Sequence, residues 1–170
     1  MRKTTVLLGL VLLPTILLEP LSAQNDTAYC VPSSEFALGR IRLLDYGPDV
    51  RELLGVPLSE TPDWDEDDGG PYPLIHLRYR DLLVDLGRDR VQMLETSAPT
   101  LSLPSGVRVG STVAEVGERL RLQNPRAYFR GDTLAPYSCE SGVWLTLVMQ
   151  AHPPQSVLRV QKIQLYTHGP

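Results

Sequence analysis

Two segments of the chain repeat each other, and this internal repeat constrains the fold more than any other feature. Residues 41–54 align without a gap with residues 107–120, and four of the fourteen positions are identical. A shorter motif, Arg-Val-Gln, follows each copy, at 90–92 and again at 159–161. Since the same two motifs recur in the same order, the sequence predicts a tandem duplication of one supersecondary unit.

Each copy predicts a short amphipathic helix. In the first, Gly-Pro-Asp at 47–49 places a proline and an acid in the first turn, and Gly55 supplies a C-terminal stop. In the second, Thr112 and Glu115 have the spacing of a capping box. Apolar residues then recur at helical spacing, so this helix also buries one face. Asn-Pro at 124–125 is expected to end it.

Strand patterns follow each helix. In the first unit, alternating or apolar runs predict strands at 75–79, 82–86 and 91–96, with a hairpin turn at 87–89. The second unit supplies strand candidates at 127–129, 143–149 and 157–166. The predicted fold class is therefore α+β, with two tandem helix-plus-antiparallel-meander repeats that form one sheet with both helices on one face.

The ends of the chain and its composition shifts divide it into four parts. Residues 1–23 read as a signal peptide, with a basic start, an apolar run and a small-residue cleavage site. Pro14 and Glu19 interrupt the apolar run, which argues against an uncleaved membrane anchor. Repeat 1 with its N-terminal segment then spans 24–97, a proline-containing linker spans 98–105, and repeat 2 spans 106–170. We expect a secreted or periplasmic protein with no membrane attachment after cleavage.

Cys30 and Cys139 are the two cysteines of the chain. An exported protein enters an oxidising compartment, where a pair of cysteines forms a disulfide by default. The alternative is a reactive thiol at Cys139, which lacks a basic neighbour that would favour the thiolate. The sequence therefore predicts a Cys30–Cys139 bond that ties the N-terminal segment to the second repeat.

Three short motifs carry a resemblance to a known family. They are Gly-Ser-Thr-Val-Ala-Glu-Val at 110–116 before a helix, Leu-Leu-Gly-Val-Pro at 53–57 after one, and the hairpins that contain Arg-Val-Gln. This organisation resembles the repeat shared by β-lactamase-inhibitor proteins and the small lipoproteins of outer-membrane protein assembly. The resemblance implies a protein-binding role without catalysis. The chain departs from the family after the second helix, at 121–125, and in lacking a lipid-attachment cysteine.

Composition and motifs argue against several classes of protein. A net charge of −4 disfavours nucleic-acid binding, which needs clustered lysine and arginine. The sequence contains no phosphate-binding loop, no nucleophile elbow and no dinucleotide fingerprint. Its histidines, His76, His152 and His168, have no metal-ligand spacing, and His76 is expected on the solvent face of a strand. We therefore predict no enzymatic activity and no cofactor, with an unrecognised hydrolase as a remote alternative.

Residues 57–73 have no periodic pattern and are predicted to form an acidic loop. Asp63, Asp65 and Asp67 have the alternate spacing of the first ligands in a calcium loop. Leu74, however, occupies the position where such a loop carries a bidentate acid. A solvated acidic loop without a metal is the favoured interpretation, and a calcium site is the alternative.

Aromatic side chains often anchor interfaces, and this segment contains two. Trp64 stands between aspartates, where an apolar ring gains little unless a partner covers it. The predicted partner-binding residues are Trp64, Asp65, Glu66, Asp67 and Tyr72. These observations favour an exported, non-catalytic protein-binding module, such as an inhibitor or an immunity-type protein. A structural accessory of the cell envelope is the alternative.

Overall fold

A computed structural model describes residues 30–67, 70–140, 142–152 and 157–167. The predicted signal peptide, 1–23, lies outside the described residues. The described residues include two α-helices, α1 (Gly47–Leu54) and α2 (Val113–Arg119). The strands are β1 (Ala37–Leu38), β2 (Ile41–Arg42), β3 (Ser59–Asp67), β4 (Gly70–Arg78), β5 (Leu83–Gly87), β6 (Arg90–Thr96), β7 (Phe129–Arg130), β8 (Thr133–Leu134), β9 (Trp144–His152) and β10 (Val157–Tyr166).

Eight of these strands form one antiparallel sheet in the order β3-β4-β5-β6-β10-β9-β8-β7, while β1 and β2 form a separate hairpin. The middle of the large sheet is the pairing of β6 with β10, where Leu94 lies opposite Leu165 and Thr96 lies opposite Ile163. This pairing joins the strands of the first half to those of the second. The architecture is α+β, and β3 and β7 are the edges of the sheet.

Alternation along the strands separates an apolar inner face from an outer face that mixes polar and apolar side chains. The inner face carries fully buried side chains, among them Leu77, Val84, Leu94, Leu147, Ile163 and Leu165. Val50 of α1 and Val116 of α2 belong to the same buried cluster as these strand residues. The hydrophobic effect that holds the helices against the sheet therefore acts on its inner face.

Helix α1 begins and ends where its sequence predicts. Pro48 occupies its first turn, Asp49 is the acid near its N-terminus, and Val50 is buried. At the C-cap, Gly55 has φ 76° and donates its N–H to the Arg51 carbonyl. A positive φ costs glycine little, so the helix ends at that residue.

Helix α2 begins with the predicted capping box. The Glu115 N–H donates to Thr112 Oγ1 at 3.2 Å, and the Thr112 N–H donates to Glu115 Oε2 at 2.7 Å. These two bonds satisfy N–H groups that the first turn of a helix leaves without partners.

The predicted end of α2 at 124–125 is wrong, because the helix ends at Arg119. Arg121 adopts φ 56°, and the Leu122 N–H then donates to the Gly117 carbonyl at 2.8 Å. This is the hydrogen bonding of a helix C-terminus that closes through a left-handed residue. Glycine usually fills that position, so an arginine there gave no sequence signal.

The segment after α2 also differs from its prediction. Residues 127–129 were expected to be a strand, but Pro125–Tyr128 forms a 3-10 helix and the strand β7 follows it. This turn packs closely on α2, since a Cβ on Gly117 would lie 2.7 Å from Pro125 Cγ. Tertiary packing against the helix therefore overrides the local strand pattern.

The two halves make corresponding hydrogen bonds at positions that the repeat aligns. In the first half, the Leu44 N–H donates to the Val91 carbonyl at 2.8 Å, and the Val91 N–H donates to the Asp45 carbonyl at 3.0 Å. In the second half, the bonds run from Gly110 to Val160 and from Val160 to Ser111, both at 2.8 Å. Each segment that leads into a helix is thus bonded to the valine of an Arg-Val-Gln strand.

The loop predicted at 57–73 is wrong at 59–67 and 70–73, which form strands. They belong to a hairpin in which β3 pairs with β4 from Ser59 opposite Arg78 to Asp67 opposite Gly70. The pairing of β4 with β5 begins only at Leu74, opposite Gly87. The outer part of the hairpin therefore has no third strand beside it. Residues 59–66 of β3 are exposed on both faces, so the apolar alternation that identifies a strand is missing there.

The predicted disulfide is confirmed. Cys30 and Cys139 are bonded with a Cα–Cα distance of 5.0 Å across a sequence separation of 109. The Val31 N–H donates to the Tyr137 carbonyl, and the Cys139 N–H donates to the Val31 carbonyl, so backbone bonds hold the two segments in register beside the bridge.

Within the described residues, no helix has the length and apolar character needed to cross a membrane.

We predict that replacing both cysteines, Cys30→Ala with Cys139→Ala, lowers the free energy of unfolding by about 4 kcal/mol, because the bond closes a long loop in the unfolded chain. Urea titration of the variant and of the oxidised wild type measures the difference. Reduced wild-type protein is the control and should match the variant. Equal midpoints for the oxidised and reduced proteins would contradict the prediction.

Candidate functional site

The outer part of the β3–β4 hairpin, residues 63–67 and 70–73, extends beyond the end of β5 and is called the β3–β4 arm here. Trp64 lies opposite Pro73 on this arm, and Asp65 lies opposite Tyr72. Because side chains alternate along a strand, Trp64 and Asp65 point to opposite faces of the arm. Asp65 and Tyr72 are on the outer-face side.

Tyr72 anchors the arm to the sheet. Its ring is only 4% exposed, and its Oη lies 2.9 Å from both Asp65 Oδ2 and Gln92 Oε1. The Arg88 guanidinium lies 4.6 Å from the centre of the same ring, within the range of a cation–π contact. Gly87 leaves room for the Gln92 side chain that Tyr72 contacts, since a Cβ on residue 87 would lie 2.4 Å from that side chain. These contacts therefore hold the arm in place, although no third strand pairs with it.

Trp64 is the exposed aromatic residue of the arm. Its side chain is 70% exposed, although a buried indole contributes far more free energy than an exposed one. Its neighbours Asp63, Asp65 and Glu66 are also exposed. The Asp63 carboxylate accepts a hydrogen bond from the backbone N–H of Trp64 at 2.8 Å. The Asp65 carboxylate accepts one from the backbone N–H of Glu66, also at 2.8 Å. The arm thus presents an indole among carboxylates.

The structure separates the five residues that the sequence assigned to a partner surface. Trp64 and Glu66 are at the surface, and Asp65 is exposed but bonded to Tyr72. Tyr72 is buried and positions Asp65 rather than presenting its own ring. The Asp67 side chain lies outside the described part of the chain.

The alternate aspartates considered as calcium ligands, Asp63 and Asp65, lie on an extended strand. Successive residues on one face of a strand are separated by about 6 to 7 Å along the chain, so their carboxylates do not converge as they do in a calcium loop. In the described portion of the chain, no group of three or more histidine, cysteine or acidic side chains is placed to hold a metal ion.

A second cluster lies on the outer face, where His76 stands between two carboxylates. His76 Nδ1 lies 2.7 Å from Asp85 Oδ1 on β5, and its Nε2 lies 3.3 Å from Asp63 Oδ2 on β3. The sequence predicted a solvent-facing histidine and missed both partners. The register that places His76 opposite Asp85 is set by the pairing of β4 with β5, and no local sequence motif indicates it.

The electrostatics of this cluster follow from hydrogen bonding and burial. The hydrogen bond to Asp85, assisted by Asp63, raises the pKa of His76 above its usual value. Burial raises the pKa of Asp85, and the bond to His76 opposes that effect without overcoming it. The pKa of Asp63 is lowered, first by the Trp64 N–H and then by His76. A protonated His76 is therefore favoured between its two acceptors.

The outer face also contains a cavity of about 530 Å³. Its walls include Asp65 of β3 at one edge of the sheet and Arg130 of β7 at the other. Asp85, Met93 and Tyr166 line it between these edges. Because both edge strands contribute, the twisted sheet curves around this space. Sequence reasoning did not find it, since its residues come from both halves of the chain.

Comparison with known proteins finds likeness among solved structures. Neither a protein-family model nor a curated protein matches the sequence. Among solved structures, the crystal structure of the uncharacterized protein yfeY from Escherichia coli is similar, with a TM-score of 0.47 and 10% sequence identity. The alignment covers 81% of this chain and 99% of that chain. A likeness of this degree assigns no function.

We predict that His76 titrates above the usual histidine pKa of about 6.5, and that Asp85→Asn lowers its midpoint more than Asp63→Asn does. Histidine NMR titrations, with His76→Gln to assign the resonance, measure this. Since the folded pKa is raised, the stability that protonation contributes is complete below the unfolded pKa and is lost as pH rises through the folded pKa. A midpoint at or below that of unfolded protein would contradict the cluster.

Proposed function

We propose that the protein is an exported, non-catalytic module that binds another protein through the β3–β4 arm, in the manner of an inhibitor or an immunity-type protein. The observation that carries this proposal is the 70% exposure of Trp64 on an anchored arm. Exposed tryptophans on rigid elements are typical anchors of protein interfaces. The disulfide supports export, because such bonds persist in oxidising compartments.

The acids of β3 have a structural explanation that must be weighed against binding. An edge strand presents unpaired N–H and carbonyl groups, and charged side chains and proline discourage it from pairing with another sheet. Pro62 and the acids of β3 serve this purpose. Glu60 in addition forms hydrogen bonds of 2.7 and 3.1 Å with Arg51 of α1. Protection of an edge does not account for an exposed indole, so Trp64 rather than the acids supports the interface.

The chemistry of the arm favours a partner with a basic surface around an apolar patch. Lysine or arginine side chains of the partner would neutralise the carboxylates, while the patch would cover the indole. Glu66 is the carboxylate most available for this role, since no described residue pairs with its side chain and it is exposed. Charge complementarity of this kind chiefly raises the association rate and weakens as salt is added.

The repeat bears on how the module is built. We propose that residues 24–97 and 106–170 are duplicated units joined by the 98–105 linker, with the aligned hydrogen bonds of Leu44 and Gly110 as support. The alternative function, a structural accessory of the cell envelope, would use this duplicated sheet as a scaffold. The two functions differ in the kind of protein that each would bind.

Copurification separates them. With the protein as bait in an extract of its native compartment, we expect one soluble protein to be retained and to elute as salt is raised. Glu66→Lys should retain less of it, because the charge reversal slows association. Glu118→Lys, on the exposed side of α2, is the matched control and should behave as wild type. Retention of membrane-assembly components instead, or equal retention by all three baits, would contradict the proposal.

A further inference from the structure

We propose that the outer-face cavity is a binding site for a small organic cation, an ammonium group on an apolar body, with the ammonium seated on the carboxylate of Asp85. This site is distinct from the exposed indole of the arm and does not rest on the proposed protein interface. Its central group is a buried acid, and its walls are polar and apolar side chains from both halves of the sheet.

Asp85 is the side chain that points to a ligand. The residue is only 9% exposed and lines the cavity. Its Oδ1 is bonded to His76, while no residue in the described part of the chain donates a hydrogen bond to its Oδ2. The Asp85 carboxylate as a whole is largely removed from water, and such a group costs free energy unless donors and an opposite charge compensate it. An ammonium group in the cavity would supply that donor and a compensating charge.

The local charge favours a cation over an anion. Asp63 and Asp85 share the single imidazole of His76, so the cluster keeps one net negative charge even when His76 is protonated. The carboxylate of Asp65 also lines the cavity, but it is exposed and serves only to offset the charge of Arg130. Arg130 lies on the opposite edge strand and is exposed, where water screens it more effectively than it screens a buried group.

The remaining walls suit an apolar body. Leu74, Met93 and Ala135 present hydrocarbon or thioether surface to the cavity, and Tyr166 presents an aromatic side chain. The Tyr166 hydroxyl is already bonded to Thr146 at 2.9 Å, so it needs no partner from a ligand. A volume of about 530 Å³ falls within the range of small-molecule sites, which are mostly apolar with a few placed polar groups.

The test uses three probes of matched shape and different charge: phenethylammonium, 2-phenylethanol and 3-phenylpropionate. Each is titrated into the disulfide-bonded protein, and amide chemical shifts are followed by NMR. We expect phenethylammonium to shift the amides of Asp85, Met93 and Tyr166 with millimolar affinity. The neutral probe should bind at least about tenfold more weakly, the ratio expected when a charged hydrogen bond is lost. The anion should give no shift.

Variants locate the binding. Asp85→Asn should weaken phenethylammonium at least about tenfold. Ala135→Phe should do the same by filling the cavity while leaving the acid in place, and it keeps the test decisive if Asp85→Asn fails to fold. Glu118→Gln, on α2, is the charge control and should bind as wild type. Equal binding of the neutral probe, preference for the anion, unchanged binding by Ala135→Phe, or shifts confined to other surfaces would overturn the proposal.

Discussion

The rest of the structure depends on the pairing of β6 with β10. These strands carry the two Arg-Val-Gln segments, and their pairing places Leu94 opposite Leu165 in the middle of the sheet. It makes one continuous inner face from two halves, so that Val50 and Val116 share a single core. The same pairing makes the outer face continuous, which is why a cavity there is lined by residues of both halves.

Local signals predicted the parts of the fold whose cause is local. Pro48 and Gly55 bound α1, and Thr112 with Glu115 begins α2, because caps and turn residues act on their own neighbours in sequence. The disulfide followed from cysteine count and compartment. The β3–β4 arm was missed because a strand with two exposed faces lacks apolar alternation, and the end of α2 was missed because Arg121 takes a conformation that usually selects glycine.

The candidate site likewise combines features with a local cause, which the sequence predicts, and features that depend on strand pairing, which it does not. Exposure of Trp64 could be anticipated, since aspartates on both sides make an indole hard to bury. The burial of Tyr72 and the contact of His76 with Asp85 could not, because both depend on which strands become neighbours. The charges of the β3–β4 arm and of the outer-face cavity also differ in their exposure to solvent. On the arm the charge is exposed and screened by solvent, whereas at Asp85 it is desolvated and acts at short range.

Trp64 provides the most direct test of the central claim that the arm is a protein-binding surface. Isothermal titration of the retained partner should show that Trp64→Ala raises the dissociation constant about 30-fold, which corresponds to the roughly 2 kcal/mol of an interface hot spot. Trp144→Ala is the matched control, because Trp144 is 41% exposed on β9, which β5, β6 and β10 separate from the β3–β4 hairpin, and its loss should leave the affinity unchanged. Equal affinities for wild type and Trp64→Ala would contradict the account.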